Sequence, residues 1–235
     1  MMMEHAAASQ TTEKIARMAV EPIVSGMTVG LGSGRNAERA IKMLAQRVLD
    51  ERLDIRCVCT STQTEILANG LGLNTIPFAE VESVDYLFDG AAEVDHSLRM
   101  LKGTYAAITR QRLVARVCTR CVYIAPIEKL SDRLGSAALL SLTLIPFGMV
   151  SIRNTLRDMG LSGVIRRDID GKLVSTDGGG VMLDLQIPPD RDIEELAAEL
   201  DTVVGVVDHG IFLTEADEIL LDCHNGEVRR LVRPA

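Results

Sequence analysis

The chain predicts an α/β fold: a mostly parallel sheet with helices on both faces, joined to a smaller α+β unit. Three observations predict it. Short apolar segments alternate with amphipathic helical stretches through the first half of the chain, the rhythm of a parallel sheet covered by crossover helices. After Pro146 that rhythm breaks into brief segments divided by Asp-Gly and glycine-rich turns, the pattern of antiparallel hairpins. The length, 235 residues with 47% hydrophobic and 25% charged side chains, suffices for one large domain with a smaller partner.

The elements follow in order. A helix is predicted from Thr11 to Val24, closing near Gly26, and a short apolar strand from Met27 to Leu31 leads into a glycine turn. Asn36 is placed to cap the next helix, whose apolar positions Ala37, Ala40, Ile41, Leu44 and Val48 recur at helical spacing. Ile55–Cys59 reads as a second strand, followed by a helix ending at Gly70. Val84–Phe88 reads as a third strand, stopping at Asp89-Gly90. A helix from Ala106 to Val117 feeds a fourth strand, Cys121–Ala125. Beyond Pro146, a helix over Ser151–Met159 precedes strands at Gly163–Arg167, Leu173–Ser175 and Val181–Gln186, then a helix over Asp192–Leu200. Glu218–Asp222 and Glu227–Val232 form a hairpin turned at Asn225-Gly226.

Composition excludes several functions. The formal net charge is −8 and no Lys/Arg-rich run interrupts it. Nucleic acid is therefore no partner, since affinity for a polyanion rests on Lys and Arg neutralising phosphates. No apolar run nears the roughly 20 residues that span a bilayer, so no membrane partner is expected. The N-terminus lacks a basic start followed by an apolar stretch, so no leader is expected and the protein reads as cytoplasmic. The five cysteines sit in or beside apolar stretches, as reduced buried thiols do. Cys118 and Cys121 have the spacing of half a zinc site, but no second pair follows at a matching distance, so no metal is expected.

Chemistry concentrates in two places. Gly30, Gly32 and Gly34, with Ser33, Arg35 and Asn36, lie between a strand and a helix. Glycines there let the backbone approach a ligand, and the free N–H groups of the helix start favour an anion. A dinucleotide fingerprint needs a third glycine where Arg35 stands, which argues against NAD. Ser33 and Asn36 can donate to a phosphate, and Arg35 can pair with it. The second place is Asp89, Glu93 and Asp95 at a strand end, where open parallel sheets put their ligand crevice. These three acids suit binding a hydroxyl-rich sugar or moving protons, and equally suit a solvated acidic loop. Lys102 is placed to neutralise either a phosphate or Asp89.

Five segments in order, Val29–Gly34, Cys59–Thr64, Asp89–Asp95, Leu101–Arg110 and Thr176–Gly180, resemble type A ribose-5-phosphate isomerase. Lys129, Leu134-Gly135 and Val206–Phe212 add to the match, which runs through nearly the whole chain. The resemblance implies a Rossmann-like main domain, 1–130 with 205–235, and a smaller α+β (ferredoxin-like) domain, 131–204. It also implies aldose–ketose isomerisation of ribose 5-phosphate and ribulose 5-phosphate, with no metal or nucleotide cofactor, in a homodimer or homotetramer. The expected partner is a small phosphorylated sugar. Ser33, Gly34, Arg35 and Asn36 would hold its phosphate; Asp89, Gly90, Ala91, Ala92, Lys102, Gly103, Thr104, Tyr105 and Lys129 would hold the rest. Asp89 and Lys102 match family catalytic positions.

The departures fall on the chemistry. The family's D-G-A-D-E reads D-G-A-A-E, putting Ala92 at an aspartate position; its R-E-K reads Arg110-Gln111-Arg112, putting Gln111 at the position of the catalytic glutamate base. Thr104 and Tyr105 replace glycines of a K-G-G-G loop, Arg35 and Asn36 replace the serine and threonine of T-G-S-T, and Thr143 stands where a glutamate is expected. Gln keeps the reach of Glu but cannot accept a proton. Glu93, Glu65 and Asp95 are the nearby acids, and Glu93 points opposite to its neighbour Ala92 if the segment is extended. Three readings follow: an isomerase with a rearranged site; a non-catalytic, regulatory sugar-phosphate binder; or an enzyme with a changed phosphosugar substrate, such as a phosphorylated sugar acid whose carboxylate meets Arg35.

Overall fold

The computed structural model describes residues 13–234. The extreme N-terminus, on which the leader expectation rests, and the first two residues of the first predicted helix lie outside them. In chain order the elements are α1 (residues 13–20), β1 (Thr28–Leu31), α2 (Arg35–Glu51), β2 (Arg56–Cys59), α3 (Thr62–Gly70), β3 (Tyr86–Gly90), β4 (Glu93–Asp95), β5 (Met100–Leu101), α4 (Ile108–Arg116), β6 (Cys121–Pro126) and β7 (Leu130–Ser131). There follow β8 (Leu140–Leu144), α5 (Met149–Asp158), β9 (Gly163–Ile165), β10 (Val181–Leu185), α6 (Ile193–Thr202), β11 (Val206–His209), β12 (Ile211–Phe212), β13 (Glu218–Asp222) and β14 (Val228–Val232).

The main sheet runs β14-β13-β6-β3-β1-β2. Its neighbours are parallel except the terminal β13–β14 hairpin. Successive strand residues point to opposite faces, and here both faces are apolar. Val29, Leu31, Tyr86, Phe88, Val122, Ile124 and Leu220 share a core with residues of α1, α2 and α3. Leu87, Tyr123, Ala125, Ile219 and Leu221 share another with Ile108 and Val114 of α4. Such a doubly covered sheet explains why its strands read as unbroken apolar runs.

Two helix starts are capped as their residue types favour. Ser61 accepts from the Thr64 N–H at 3.1 Å, and Asp192 accepts from Glu194 and Glu195 at 2.9 Å. Asn36 does not cap α2. Gly34, at φ +97°, holds the cap position without a side-chain cap, so the helix begins at Arg35 and Asn36 lies within its first turn.

The second sheet, β11-β8-β10-β9, is antiparallel throughout. Its path β8-α5-β9-β10-α6-β11 is the β-α-β-β-α-β course of a ferredoxin-like unit. Leu140, Leu142 and Leu144 bury against Ile152, Leu156, Leu196 and Leu200 of the two helices. Strands β8 and β11 were not among the predicted elements, whereas the predicted strand Leu173–Ser175 makes only isolated bridges, from Leu173 to Arg167 and from Ser175 to Val181. Among the described residues, no helix is long and apolar enough to cross a membrane.

A third small sheet, β12-β5-β4-β7, was also absent from the prediction. Its β4 strand carries Glu93, fully buried and accepting from Ser131 Oγ (2.7 Å), Ser136 Oγ (2.9 Å) and the N–H groups of Gly135 (2.9 Å), Ala137 (3.2 Å) and Ala138 (3.0 Å). Burial alone would raise its pKa, but these donors outweigh it and hold the carboxyl below the usual glutamate range. The resulting stabilisation is fully present above the unfolded-state pKa and is lost as pH falls through the lower folded one. Glu93→Gln is therefore expected to lose roughly 1–3 kcal/mol at pH 7, and less at acid pH. Urea unfolding of both proteins across that range checks this; an equal loss at every pH would refute it.

Candidate functional site

The carboxyl ends of β1, β3, β6 and β13 open on one cavity of about 310 Å³. Its floor comes from the glycine turn. Gly32 passes so close to β3 that a Cβ there would lie 2.4 Å from the Asp89 Cα, which is why the turn needs glycine. Ser33, Gly34, Arg35 and Asn36 all line the cavity, at the end of α2 where first-turn N–H groups lack intrahelical partners. The Ser33 side chain is nevertheless engaged elsewhere. Its hydroxyl meets those of Thr60 (2.9 Å), Ser61 (2.9 Å) and Thr64 (3.2 Å) in a buried cluster behind the turn.

Asp89 lies at the end of β3, wholly buried. One oxygen accepts from the N–H groups of Ser33 (2.9 Å) and Gly90 (2.7 Å), and the other from Lys102 Nζ (2.9 Å). Gln111 Nε2 reaches both oxygens, at 3.3 and 3.0 Å. Gln111 can do so because it shares the buried stripe of α4 with Ile108 and Val114. Lys102 also donates to the Gly90 carbonyl, and its ammonium sits 5.0 Å from the ring centre of Tyr123 and 5.7 Å from that of Phe212. Burial lowers the lysine pKa, and the Asp89 charge offsets that only in part, so the net direction is down. Of the two partners foreseen for Lys102, a phosphate or Asp89, the structure pairs it with Asp89.

The three acids of the Asp89–Asp95 segment do not converge. Asp89 lies wholly buried behind the cavity-lining Lys102 and Gln111, Glu93 holds the 131–138 loop, and Asp95 accepts from Arg99 Nε (2.6 Å) and the N–H groups of Ser97 and Arg99. The solvated-loop reading fails too, since all three are buried. Glu65 is exposed on α3 and does not line the cavity. Gly90, Ala91 and Ala92 line it, as do Lys102, Gly103, Thr104, Tyr105, Gln111 and Lys129. Arg39, Asp222 and His224 line it as well and went unnoticed in the sequence. Arg39 lies one helical turn beyond Arg35, and Asp222 ends a strand of the parallel sheet, so spacing and strand order were the available signals.

The crevice at the strand carboxyl ends, the glycine turn before a helix and the buried lysine–carboxylate pair define an open α/β protein whose cavity lies where such sheets place their ligand crevice. The chain belongs to the ribose 5-phosphate isomerase A family. The model of that family, ribose 5-phosphate isomerase A (phosphoriboisomerase A), matches residues 56–226. A ribose-5-phosphate isomerase A from Caulobacter sp. (strain K31) is 40% identical over 215 residues, spanning 90% of this chain and 93% of that protein. A bifunctional ribokinase/ribose-5-phosphate isomerase A from Fructilactobacillus sanfranciscensis is 36% identical over 206 residues, 88% of this chain but only 38% of that longer protein. A solved D-ribose-5-phosphate isomerase in complex with phospho-erythronic acid superposes with a TM-score of 0.91 at 28% identity, covering 96% of this chain and 99% of that one.

Proposed function

We propose that the cavity binds a phosphorylated sugar of the ribose 5-phosphate class, its phosphate on the Gly34–Asn36 turn and its hydroxyl end toward Asp89, Lys102 and Lys129. We read Gln111 as leaving the chain without the base that isomerisation needs. One observation carries this reading: Gln111 donates its amide to Asp89, the neighbouring buried carboxylate. An amide cannot take a proton from a sugar carbon, and Asp89 is already held by four donors. Family membership supports the ligand class, as does the phosphorylated sugar acid bound by the structural relative.

Ribose 5-phosphate is expected to raise the melting temperature, its stabilisation reaching about 2.7 kcal/mol at a hundredfold excess over Kd. Absence of a shift with every phosphosugar tried would end the proposal. A second reading has one specific support. The Arg35 side chain lines the cavity without an ion pair among the described residues, and so is available to a second anionic group such as a sugar-acid carboxylate. Arg35→Ala would then weaken a phosphorylated sugar acid more than the matching sugar phosphate; equal weakening removes that reading.

A further inference from the structure

The loop after Lys102 carries Tyr105, whose ring lies across the phosphate turn. A Cβ on Gly34 would come within 2.1 Å of the ring carbon Cε2. The tyrosine hydroxyl accepts from the Arg35 N–H, the first amide of α2, at 3.4 Å. An anion seated on this turn needs both that amide and the space above Gly34. Tyr105 therefore stands where the proposed ligand's phosphate must go.

This placement is built by the surrounding backbone. Gly103 (φ +126°) and Ala106 (φ +55°) bend the loop on either side of Tyr105, and the latter is a left-handed conformation uncommon outside glycine. Arg166, next to β9, donates to the carbonyls of Gly103 (2.8 Å) and Thr104 (3.2 Å). Arg166 is itself fixed by Asp184 (Nε to Oδ2, 2.6 Å) and by Ser141 Oγ (2.7 Å), which bonds Asp184 at 2.8 Å. The main chain is held while the Tyr105 side chain remains 45% exposed, free to turn about its own rotatable bonds without disturbing the loop.

The geometry points to Tyr105 as the residue that sets the affinity of this turn: its phenol lies on the turn and must give way to a bound phosphate. This rests on the phosphosugar reading above. A phosphate dianion is a far stronger acceptor of a backbone N–H than a phenol oxygen, so the exchange favours the ligand. Each binding event nevertheless carries the cost of displacing the ring, and the intrinsic affinity is scaled down to the fraction of molecules in which the ring is already off the turn.

The test uses intact wild-type protein, Tyr105→Phe and Tyr105→Ala, titrated calorimetrically with ribose 5-phosphate and with inorganic phosphate. Losing one neutral hydrogen bond and the ring contact predicts that Tyr105→Ala binds both roughly three- to tenfold more tightly than wild type, with Tyr105→Phe between. Tyrosine emission supplies a second readout. The chain has three tyrosines and no tryptophan, and Tyr86 and Tyr123 are buried. A saturable change in wild-type emission that Tyr105→Phe lacks would report the ring leaving the turn. If wild type binds ribose 5-phosphate and Tyr105→Ala binds it equally or more weakly, the inference about Tyr105 falls and the phosphosugar reading stands. If no variant binds either ligand, both fall.

Discussion

Wild-type protein is expected to convert ribose 5-phosphate to ribulose 5-phosphate at least about 10²-fold more slowly than a Gln111→Glu, Ala92→Asp double variant. A positioned base contributes on the order of 10²–10⁴ in rate, about 3–5 kcal/mol of barrier. The wild-type site supplies none at this position, because Gln111 is an amide turned toward Asp89. A glutamate built there would face the Asp89 charge at close to 3.0 Å, the present Nε2–O separation. Repulsion between neighbouring carboxylates raises one of their pKa values, which moves a base toward the pH at which it works best. Lys102, already between Asp89 and the Gly90 carbonyl, limits the cost of the added charge. Asp at position 92 adds a second group facing the cavity, and its effect should not simply multiply the first. Coupled detection of ribulose 5-phosphate, with Gln111→Glu alone as a third arm, measures this. Wild-type turnover equal to that of the double variant would overturn the reading of Gln111. Attention would then pass to Asp222 and His224, a carboxylate and an imidazole that line the cavity outside the family motif.

Much of this arrangement was legible from the chain. Strands β1, β3 and β13 announce themselves as apolar runs stopped by glycine or aspartate, because both faces of their sheet are buried. The terminal hairpin announces itself through Asn225-Gly226. The third sheet was not legible: Met100–Leu101 and Ile211–Phe212 are two residues each, too short to show a period, and they pair only because distant segments meet. Leu140–Leu144 alternates leucine with serine and threonine, a period-two signal, but no flanking turn residue separates it from the preceding alanines. At the site, local motifs named the residues around the cavity and one pairing, Lys102 with Asp89, but not the other partners. Nothing near Asp89, Glu93 or Asp95 tells that Gln111 joins the first, that the second holds the 131–138 loop, or that the third meets Arg99. Those destinations depend on where residues 4 to 45 positions away come to rest. The hydroxyl cluster behind Ser33 hides for the same reason, since Thr60, Ser61 and Thr64 arrive from the turn after β2 and the start of α3.

Lys102→Met is expected to be the most destabilising substitution among the cavity residues, at about 3–5 kcal/mol, the cost of leaving one partner of a buried ion pair alone. The ammonium is 2% exposed and its partner carboxylate is fully buried. Methionine matches the lysine stem and suits the gap between the Tyr123 and Phe212 rings, so little packing is lost. What remains is a carboxylate deprived of its only cationic partner among the described residues, with the N–H groups of Ser33 and Gly90 and the Gln111 amide still donating to it. Those donors are neutral, and they do not offset the desolvation of a full charge. Asp89→Asn in the same background removes that charge, so the double variant should be more stable than Lys102→Met by at least about 1 kcal/mol. The reversal distinguishes a stranded charge from a simple packing defect, since a second packing lesion would only add to the first. Urea unfolding of the four proteins in this cycle decides it. If Lys102→Met lies within about 0.5 kcal/mol of wild type, the pair contributes nothing to the fold. Asp89 and Lys102 would then be held in register by the backbone of β3 and by the Lys102 N–H donating to the Gly210 carbonyl at 2.8 Å, and the site would owe its shape to main-chain hydrogen bonds instead of charge.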